Sequence, residues 1–324
     1  MADQEHIPAQ GTVVVHKDDD SGITYQSGYG NTFESETVEG ALPLGRNSPR
    51  KVPLDLYAEQ LSGTAFTRPR HLNQRTWLYR KQPSAVMNTR PFECTEEFFG
   101  GADPDKGVLD PNALRWMPFT NDGDGDDASG EPKDDFVSGT HLLGASGDPA
   151  QKSGIAVYVY LCQKSMMTAT GNSYMYNSDG DFLILPQQGS LEIKTEMGKL
   201  MVKPGEFCVV PRGIVFAVNL VKGKDTDDND NTTWRGYMLE VFKGHLVLPE
   251  LGPIGSNGLA NARDFLYPTA WTEESTDMAS PARTVYNKFG SKLWSRPVDS
   301  SPFNVVAWHG NYLPYKYDLA NFCA

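Results

Sequence analysis

The sequence predicts an all-β fold in which short strands form an antiparallel sandwich or barrel. Two observations support this class. First, the 324 residues include 31 Gly and 22 Pro and are 39% apolar, a mixture typical of a globular chain rich in turns rather than of a helical bundle. Second, β-branched and aromatic runs recur at short intervals between residues 154 and 242, with turn residues between them.

The charge and the termini limit the classes of partner. The formal net charge is −12 and the pI about 5.0, so the surface repels phosphate backbones and anionic lipid. We predict no nucleic-acid and no membrane binding. No apolar run approaches the roughly 18 residues of a spanning helix, and the first residues lack the features of a secretory signal. We therefore expect a cytoplasmic protein.

The first 135 residues are expected to contain little regular structure. Residues 1–24 are polar and predict a disordered tail. Residues 25–92 are dense in Gly, Pro, Asn and Arg and predict irregular structure with short strands. The acidic segment 103–135 resembles a calcium loop, but Asp127 stands where the turn Gly is required and Lys133 where the bidentate Glu is required. A solvated loop is the favoured interpretation.

Clear strand signals begin at residue 154. The strand-like runs are 154–162, 181–185, 191–195, 200–203, 206–210, 214–220 and 234–242. Two contain the cysteines Cys162 and Cys208, which predicts buried, reduced thiols. A charged loop follows at 225–231, and Gly/Pro-rich segments return after Pro249.

Residues 177–219 have the layout of the two motifs of a cupin barrel. Metal-binding cupins place His-x-His and an acid in the first motif and a final His in the second. Here Asn177 and Asp179 stand at the His-x-His positions and Phe182 near the acid position, while Phe216 replaces the last His. Because imidazoles and carboxylates hold divalent iron or manganese, we predict no metal site here. The fold expected is a cupin-like (jelly-roll) barrel preceded and followed by irregular Gly/Pro-rich segments with short strands.

His309 is the residue that we single out for catalysis. It lies between two aromatic clusters, where a partly buried imidazole could act as a general base. The alternative, a core histidine hydrogen-bonded to a carbonyl, is favoured by the residues alone. Arg68, Arg70 and Arg75 could bind an anionic substrate, but surface ion pairing is the favoured interpretation. No pair among the six histidines has a common metal-ligand spacing; they are His6, His16, His71, His141, His245 and His309.

Four long segments resemble the signatures of the homogentisate 1,2-dioxygenase family. They are 57–66 (YAEQLSGTAF), 176–183 (YNSDGDFL), 251–260 (LGPIGSNGLA) and 301–312 (SPFNVVAWHGNY). They occur in family order, and the resemblance extends from about Tyr25 to Asn321.

The resemblance implies an enzyme that uses O2 to open the aromatic ring of homogentisate, giving maleylacetoacetate, in phenylalanine and tyrosine catabolism. Enzymes of this family use a non-haem Fe(II) held by two His and one Glu, and they assemble as a dimer of trimers. By motif match, His309 is the proton acceptor. The family's N-terminal barrel carries no metal, in agreement with Asn177 and Phe216 here.

The resemblance also implies a domain division. Residues 25–300 match the N-terminal cupin-like structural domain, and 301–324 match the start of a C-terminal catalytic domain that is truncated here. The family's iron ligands would lie beyond Ala324. We therefore expect this chain to bind no iron and to lack activity alone.

Two alternatives remain at this point. The chain could be a non-catalytic cupin module that associates with full-length subunits. It could also be a cupin isomerase with a metal-free site, but such a site requires an open, polar barrel, and three aromatic residues indicate a filled one, namely Phe182, Phe207 and Phe216.

Overall fold

The computed structural model describes residues 15–18, 21–43, 52–87, 90–98, 134–222, 233–249, 259–273 and 282–322. Within them the regular structure is almost entirely β. The strands are β1 Val15–Lys17, β2 Thr24–Ser27, β3 Phe33–Glu36, β4 Tyr57–Ser62, β5 Arg75–Arg80, β6 Glu93–Phe98, β7 Thr140–Asp148, β8 Ser153–Cys162, β9 Gly171–Asn177, β10 Asp181–Gln188, β11 Ser190–Thr195, β12 Gly198–Val202, β13 Glu206–Val210, β14 Phe216–Val221, β15 Trp234–Val241, β16 Leu266–Pro268, β17 Ala282–Phe289, β18 Lys292–Pro297, β19 Val305–Gly310 and β20 Tyr315–Asp318.

Helical structure is limited to short turns in the described ranges. The α-helix α1 covers Ser84–Met87, and 3-10 turns cover Pro53–Asp55, Arg70–Leu72, Ala262–Asp264 and Leu319–Asn321. None of these helices is long and apolar enough to cross a membrane. The acidic segment between 103 and 133, the charged loop at 225–231 and most of the motif at 251–260 lie outside the described residues.

The strands form three sheets. The largest has nine strands in the order β1-β2-β16-β20-β13-β10-β15-β8-β7, the second has seven in the order β12-β11-β14-β9-β17-β18-β6, and the third has the order β3-β19-β5-β4. Among the described strands each pairing is antiparallel except that of β9 with β17. The all-β, cupin-like class predicted from the sequence is confirmed.

Aromatic side chains fill the barrel between the two larger sheets. Phe182 on β10 and Phe216 on β14 are fully buried, with ring centroids 6.4 Å apart. Phe136 and Tyr158 extend the layer, each with its ring centroid 6.3 Å from one of these two rings. Edge-to-face packing of this kind adds to the free energy gained by burying the rings. The filled barrel predicted from Phe182 and Phe216 is confirmed.

The prediction that Phe207 belongs to this interior is wrong. In β13 Cys208 is paired with the buried Ile184 and shares its inward face. Because side chains alternate along a strand, Phe207 points to the opposite face. There it is half-buried, with its ring centroid 5.6 Å from that of Tyr317.

The seven strand-like runs read from the sequence are observed as β8 and β10–β15. β10 continues to Gln188, beyond the predicted end at residue 185, because Gln188 still pairs with Arg235 of β15. The thiols of Cys162 and Cys208 are free and buried, as predicted. Burial raises the pKa of both thiols well above the usual value, which keeps them protonated and unreactive.

Ordered structure begins before residue 25. β1 lies in the segment predicted as a tail and pairs with β2, from Val15 with Gln26 to Lys17 with Thr24. The connecting turn is closed by the amide of Gly22, which donates to the carbonyl of Asp18. Gly22 has a φ of +69°, which glycine adopts without strain. Residues 1–14 lie outside the described part of the chain.

Residues 301–322 are part of the same folded body as the barrel. β19 lies between β3 and β5, and β20 lies between β13 and β16. Every residue of β19 is buried, and the indole Nε1 of Trp308 donates to the carbonyl of Met197 at 2.7 Å. The predicted boundary at residue 300 therefore does not coincide with a break in the described structure.

Candidate functional site

His309 lies in β19 on one face of the four-stranded sheet. Its cross-strand neighbour is Trp77 of β5, and it is only 8% exposed. Its Nε2 lies 3.0 Å from the hydroxyl of Tyr79, and the two rings are stacked with centroids 5.9 Å apart and planes at 24°. The hydrogen-bond partner at Nε2 is thus the phenol hydroxyl of Tyr79.

Tyr79 is held firmly in place around this contact. It is fully buried in a small apolar cluster with Ala41, Val306 and Ala307. A hydroxyl that is hydrogen-bonded to one ring nitrogen selects the imidazole tautomer and the plane of the ring. This pair could not be predicted from the sequence, because its members are 230 residues apart.

We expect Tyr79→Phe to loosen His309 without unfolding the chain. The substitution keeps the ring and leaves Nε2 without the phenol, which costs about 1–3 kcal/mol of unfolding free energy for a buried polar group. Nitrogen-15 NMR of the His309 ring should show a changed tautomer equilibrium. Tyr160→Phe is the matched control, since the Tyr160 hydroxyl is also buried and has no hydrogen-bond partner in the described structure. A His309 spectrum that Tyr79→Phe leaves unchanged would contradict the assignment.

A cavity of about 290 Å³ lies elsewhere, beside the ends of β10 and β13. Its lining combines one arginine and two histidines with aromatic rings: Tyr29, Arg68, His71, His245, Tyr312 and Tyr315. Of the three arginines considered for anion binding, the structure brings Arg68 to this cavity. Arg70 and Arg75 are exposed, and Nη1 of Arg75 donates to Oδ1 of Asn73 at 3.4 Å.

A hydrogen-bonded network forms one wall of this cavity. Nδ1 of His245 lies 2.8 Å from Oδ2 of Asp181, and its Nε2 lies 2.6 Å from the carbonyl oxygen of Gly63. Nε of Arg212 donates to the other oxygen of Asp181 at 3.0 Å. Both ring nitrogens of His245 face oxygen acceptors, so neither points to a metal position. The sequence analysis missed this network, although Asp181 lies inside one of the family signatures.

Tyr312 completes the wall. Its hydroxyl donates to the carbonyl oxygen of Arg212 at 2.8 Å. Burial raises the pKa of Tyr312 well above that of a free tyrosine. The phenol is therefore neutral and acts as a hydrogen-bond donor.

The position at which metal-binding cupins hold their ion contains no suitable set of ligands. Asn177 and Asp179 are buried there, but the Asn177 amide donates to Glu240 at 2.6 Å, and Asp179 accepts from the ammonium of Lys288 at 2.8 Å. Phe216 fills the position of the last His. Nowhere in the described ranges do three His, Cys, Asp or Glu side chains converge so as to hold a metal ion. These residues do not fit Fe(II), which favours imidazole and carboxylate ligands.

Comparison with known proteins identifies the relatives of this chain. The sequence profile described as "Homogentisate 1,2-dioxygenase N-terminal" matches residues 24–319. The homogentisate 1,2-dioxygenase of Dictyostelium discoideum is 51% identical over 299 residues, which cover 92% of this chain and 63% of that protein. The homogentisate 1,2-dioxygenase of Homo sapiens is 48% identical over 302 residues, covering 93% and 63%.

The chain thus spans less than two thirds of the length of these relatives. Among solved structures, it is similar to a cupin-2 domain containing protein from Shewanella frigidimarina, with 12% identity, a TM-score of 0.23 and coverage of 32% of this chain and 78% of that chain. The profile match covers most of the sequence, from the first residue of β2 to the residue after β20. The chain belongs to the homogentisate 1,2-dioxygenase family, and it matches the N-terminal part of its members.

Proposed function

We propose that this chain supplies the N-terminal part of a homogentisate 1,2-dioxygenase, which opens the ring of homogentisate with O2 to give maleylacetoacetate. The observation that carries this proposal is the 51% identity to the Dictyostelium relative over 92% of the chain. The match to the family's N-terminal profile, residues 24–319, includes the segment around His309. The geometry agrees with a role for His309, because a buried, oriented imidazole suits proton transfer.

His309 is the proton acceptor in this proposal. In the proposed step Nδ1 of His309 takes the proton of a ring hydroxyl of homogentisate, while Nε2 keeps its own proton and donates it to the hydroxyl oxygen of Tyr79, which holds the imidazole in one orientation. Support comes from the 3.0 Å contact and from the burial of both side chains. A base that is already aligned loses little entropy when the substrate binds.

The Fe(II) of the family does not fit the residues that the structure describes, and we assign no step to it. We propose that its two His and one Glu come from the part of the relatives that this chain does not match. That part amounts to more than a third of the Dictyostelium relative, of which 63% is covered. A dimer of trimers and a cytoplasmic location belong to the same proposal.

A chimaera tests the proposed function. This chain replaces the matching part of the Dictyostelium relative and is joined to the remainder of that protein. We expect the chimaera to consume O2 when homogentisate is added and to form maleylacetoacetate, since each part contributes residues that the other lacks. The intact relative is the positive control. A chimaera that folds and contains iron, but consumes no O2 with homogentisate, would count against the proposal.

The chain alone provides the complementary measurement. We expect it to contain much less than one iron per chain by elemental analysis and to show no homogentisate-dependent O2 uptake. One tightly held iron per chain together with turnover would refute this. Co-elution with an intact relative, without any gain of activity in the chimaera, would favour the non-catalytic module instead.

A further inference from the structure

A buried ammonium group lies within the first cupin motif of the barrel. Lys288 of β17 is fully buried, and its Nζ lies 2.8 Å from Oδ2 of Asp179 and 3.0 Å from Oε1 of Glu240. Asp179 stands at the second His position of the motif. The parallel pairing of β17 with β9 brings Lys288 here, because it places Lys288 opposite Asn177, the first His position.

The two carboxylates are held in fixed orientations by other groups. The amide of Asn177 donates to Oε1 of Glu240, and the hydroxyl of Tyr158 donates to Oε2, both at 2.6 Å. The backbone amides of Gly290 and Ser291 donate to Asp179 at 2.8 and 2.9 Å. Buried ionised groups require such partners. Each carboxylate therefore keeps hydrogen-bond donors other than Lys288, namely side chains for Glu240 and backbone amides for Asp179.

The charges in this cluster favour a cation. Two carboxylates, Asp179 and Glu240, face the ammonium of Lys288, so removing Lys288 leaves two formal negative charges with only the exposed ammonium of Lys152 close to them. Burial and the adjacent Glu240 raise the pKa of Tyr158, which stays neutral and adds no charge. Lys152 contacts the cluster from the outside, where its Nζ donates to the carbonyl oxygens of Ser178 and Asp179 at 3.2 and 3.1 Å.

We propose that the ammonium of Lys288 takes the place of the metal ion of a metal-binding cupin, and that truncating Lys288 converts this position into a divalent-cation site with Asp179 and Glu240 as ligands. Lys288→Ala removes the charge and opens space for an ion and its waters. A divalent cation would balance the charge of the two carboxylates that remain. Oxygen ligands of this kind suit Mn²⁺ or Ca²⁺. The inference does not depend on the proposed function.

Thermal unfolding of Lys288→Ala with and without Mn²⁺ tests this inference. Removing one partner of a buried ion cluster is strongly destabilising, and we expect Tm to fall by about 10 °C. Saturating Mn²⁺ should recover about half of that loss, because a ligand that binds only the folded state stabilises it. Elemental analysis after gel filtration should find one Mn²⁺ per variant chain and none in the wild-type chain.

Two further variants separate charge from space. Lys288→Met fills the position with an uncharged side chain of similar length. Its Tm should therefore be lower than that of the wild type, and Mn²⁺ should not raise it. Lys288→Ala combined with Glu240→Gln should also lose the response to Mn²⁺. The proposal fails if Lys288→Met is as stable as the wild type, or if Mn²⁺ raises the Tm of Lys288→Ala no more than that of Lys288→Met.

If Lys288→Ala does not fold in the absence of a divalent cation, refolding with and without Mn²⁺ or Ca²⁺ provides the test. Recovery of a folded chain only when Mn²⁺ or Ca²⁺ is present would support the proposal. Failure to refold with either ion, while Lys288→Met folds, would overturn it.

Discussion

Replacing His309 with Gln in the chimaera is expected to lower kcat for homogentisate by about 10²- to 10⁴-fold, the range for removal of a general base. Glutamine retains the size of the side chain and can still hydrogen-bond the hydroxyl of Tyr79, so the local packing changes little. It cannot accept a proton at neutral pH. The measurement is O2 uptake at saturating homogentisate, with KM determined in the same series.

His141→Gln is the matched control for this substitution. His141 lies in β7, at the edge of the nine-stranded sheet, and the same change there should leave kcat unaltered. For His309→Gln, a lower kcat with little change in KM would indicate that His309 makes an interaction in the transition state only. Loss of a general base lowers kcat far more than about twofold. If the His309→Gln variant keeps more than about half of the kcat, the role assigned to His309 is therefore wrong.

Arg80→Met is expected to lower the free energy of unfolding by about 3–5 kcal/mol, as found when one partner of a buried ion pair is removed. The Arg80 guanidinium pairs with Glu196, which is 2% exposed, and its Nε donates to Glu59 at 2.9 Å. It also donates to the carbonyl of Pro302 and to Oδ1 of Asn304 at 3.3 and 3.2 Å. One side chain therefore joins β4, the turn after β11 and the segment that enters β19, and methionine replaces none of these bonds.

Urea denaturation measures this effect, and two variants control it. Arg90 and Asp299 form a pair at 2.8 Å whose side chains are 50% and 78% exposed, so Arg90→Met should change stability by less than about 0.5 kcal/mol. Adding Glu196→Gln to Arg80→Met should recover part of the loss, because it removes the uncompensated charge. Equal losses of unfolding free energy for Arg80→Met and Arg90→Met would show that burial does not determine how much the Arg80 ion pairs contribute to stability.

The strands of the barrel were predictable because their signal is local. In β15 the inward positions Trp234, Met238 and Glu240 are buried, while Arg235 and Tyr237 between them are exposed. This alternation has a period of two residues and can be read within a single strand. The loss of the cupin ligands was equally visible, since Asn177 and Phe216 can be identified by their spacing alone.

The contacts around the candidate site were not predictable, because they join distant parts of the chain. Tyr79 meets His309 only because β5 lies beside β19, and Lys288 meets Asp179, 109 residues earlier, only because β17 pairs in parallel with β9. In the sequence Lys288 is one lysine among many polar residues near a Gly-Ser turn. Its spacing carries no sign that it is fully buried.

By itself the sequence determined the strand content, the filled barrel, the absence of cupin ligands from the two motifs and the family to which the chain belongs. Each of these depends on residue type at short spacing, which folding does not change. Only the tertiary structure decided which side chains surround His309, which cation stands in the first motif and how residues 301–322 join the barrel. These depend on the order and register of strands, which are set by packing between residues far apart in the chain.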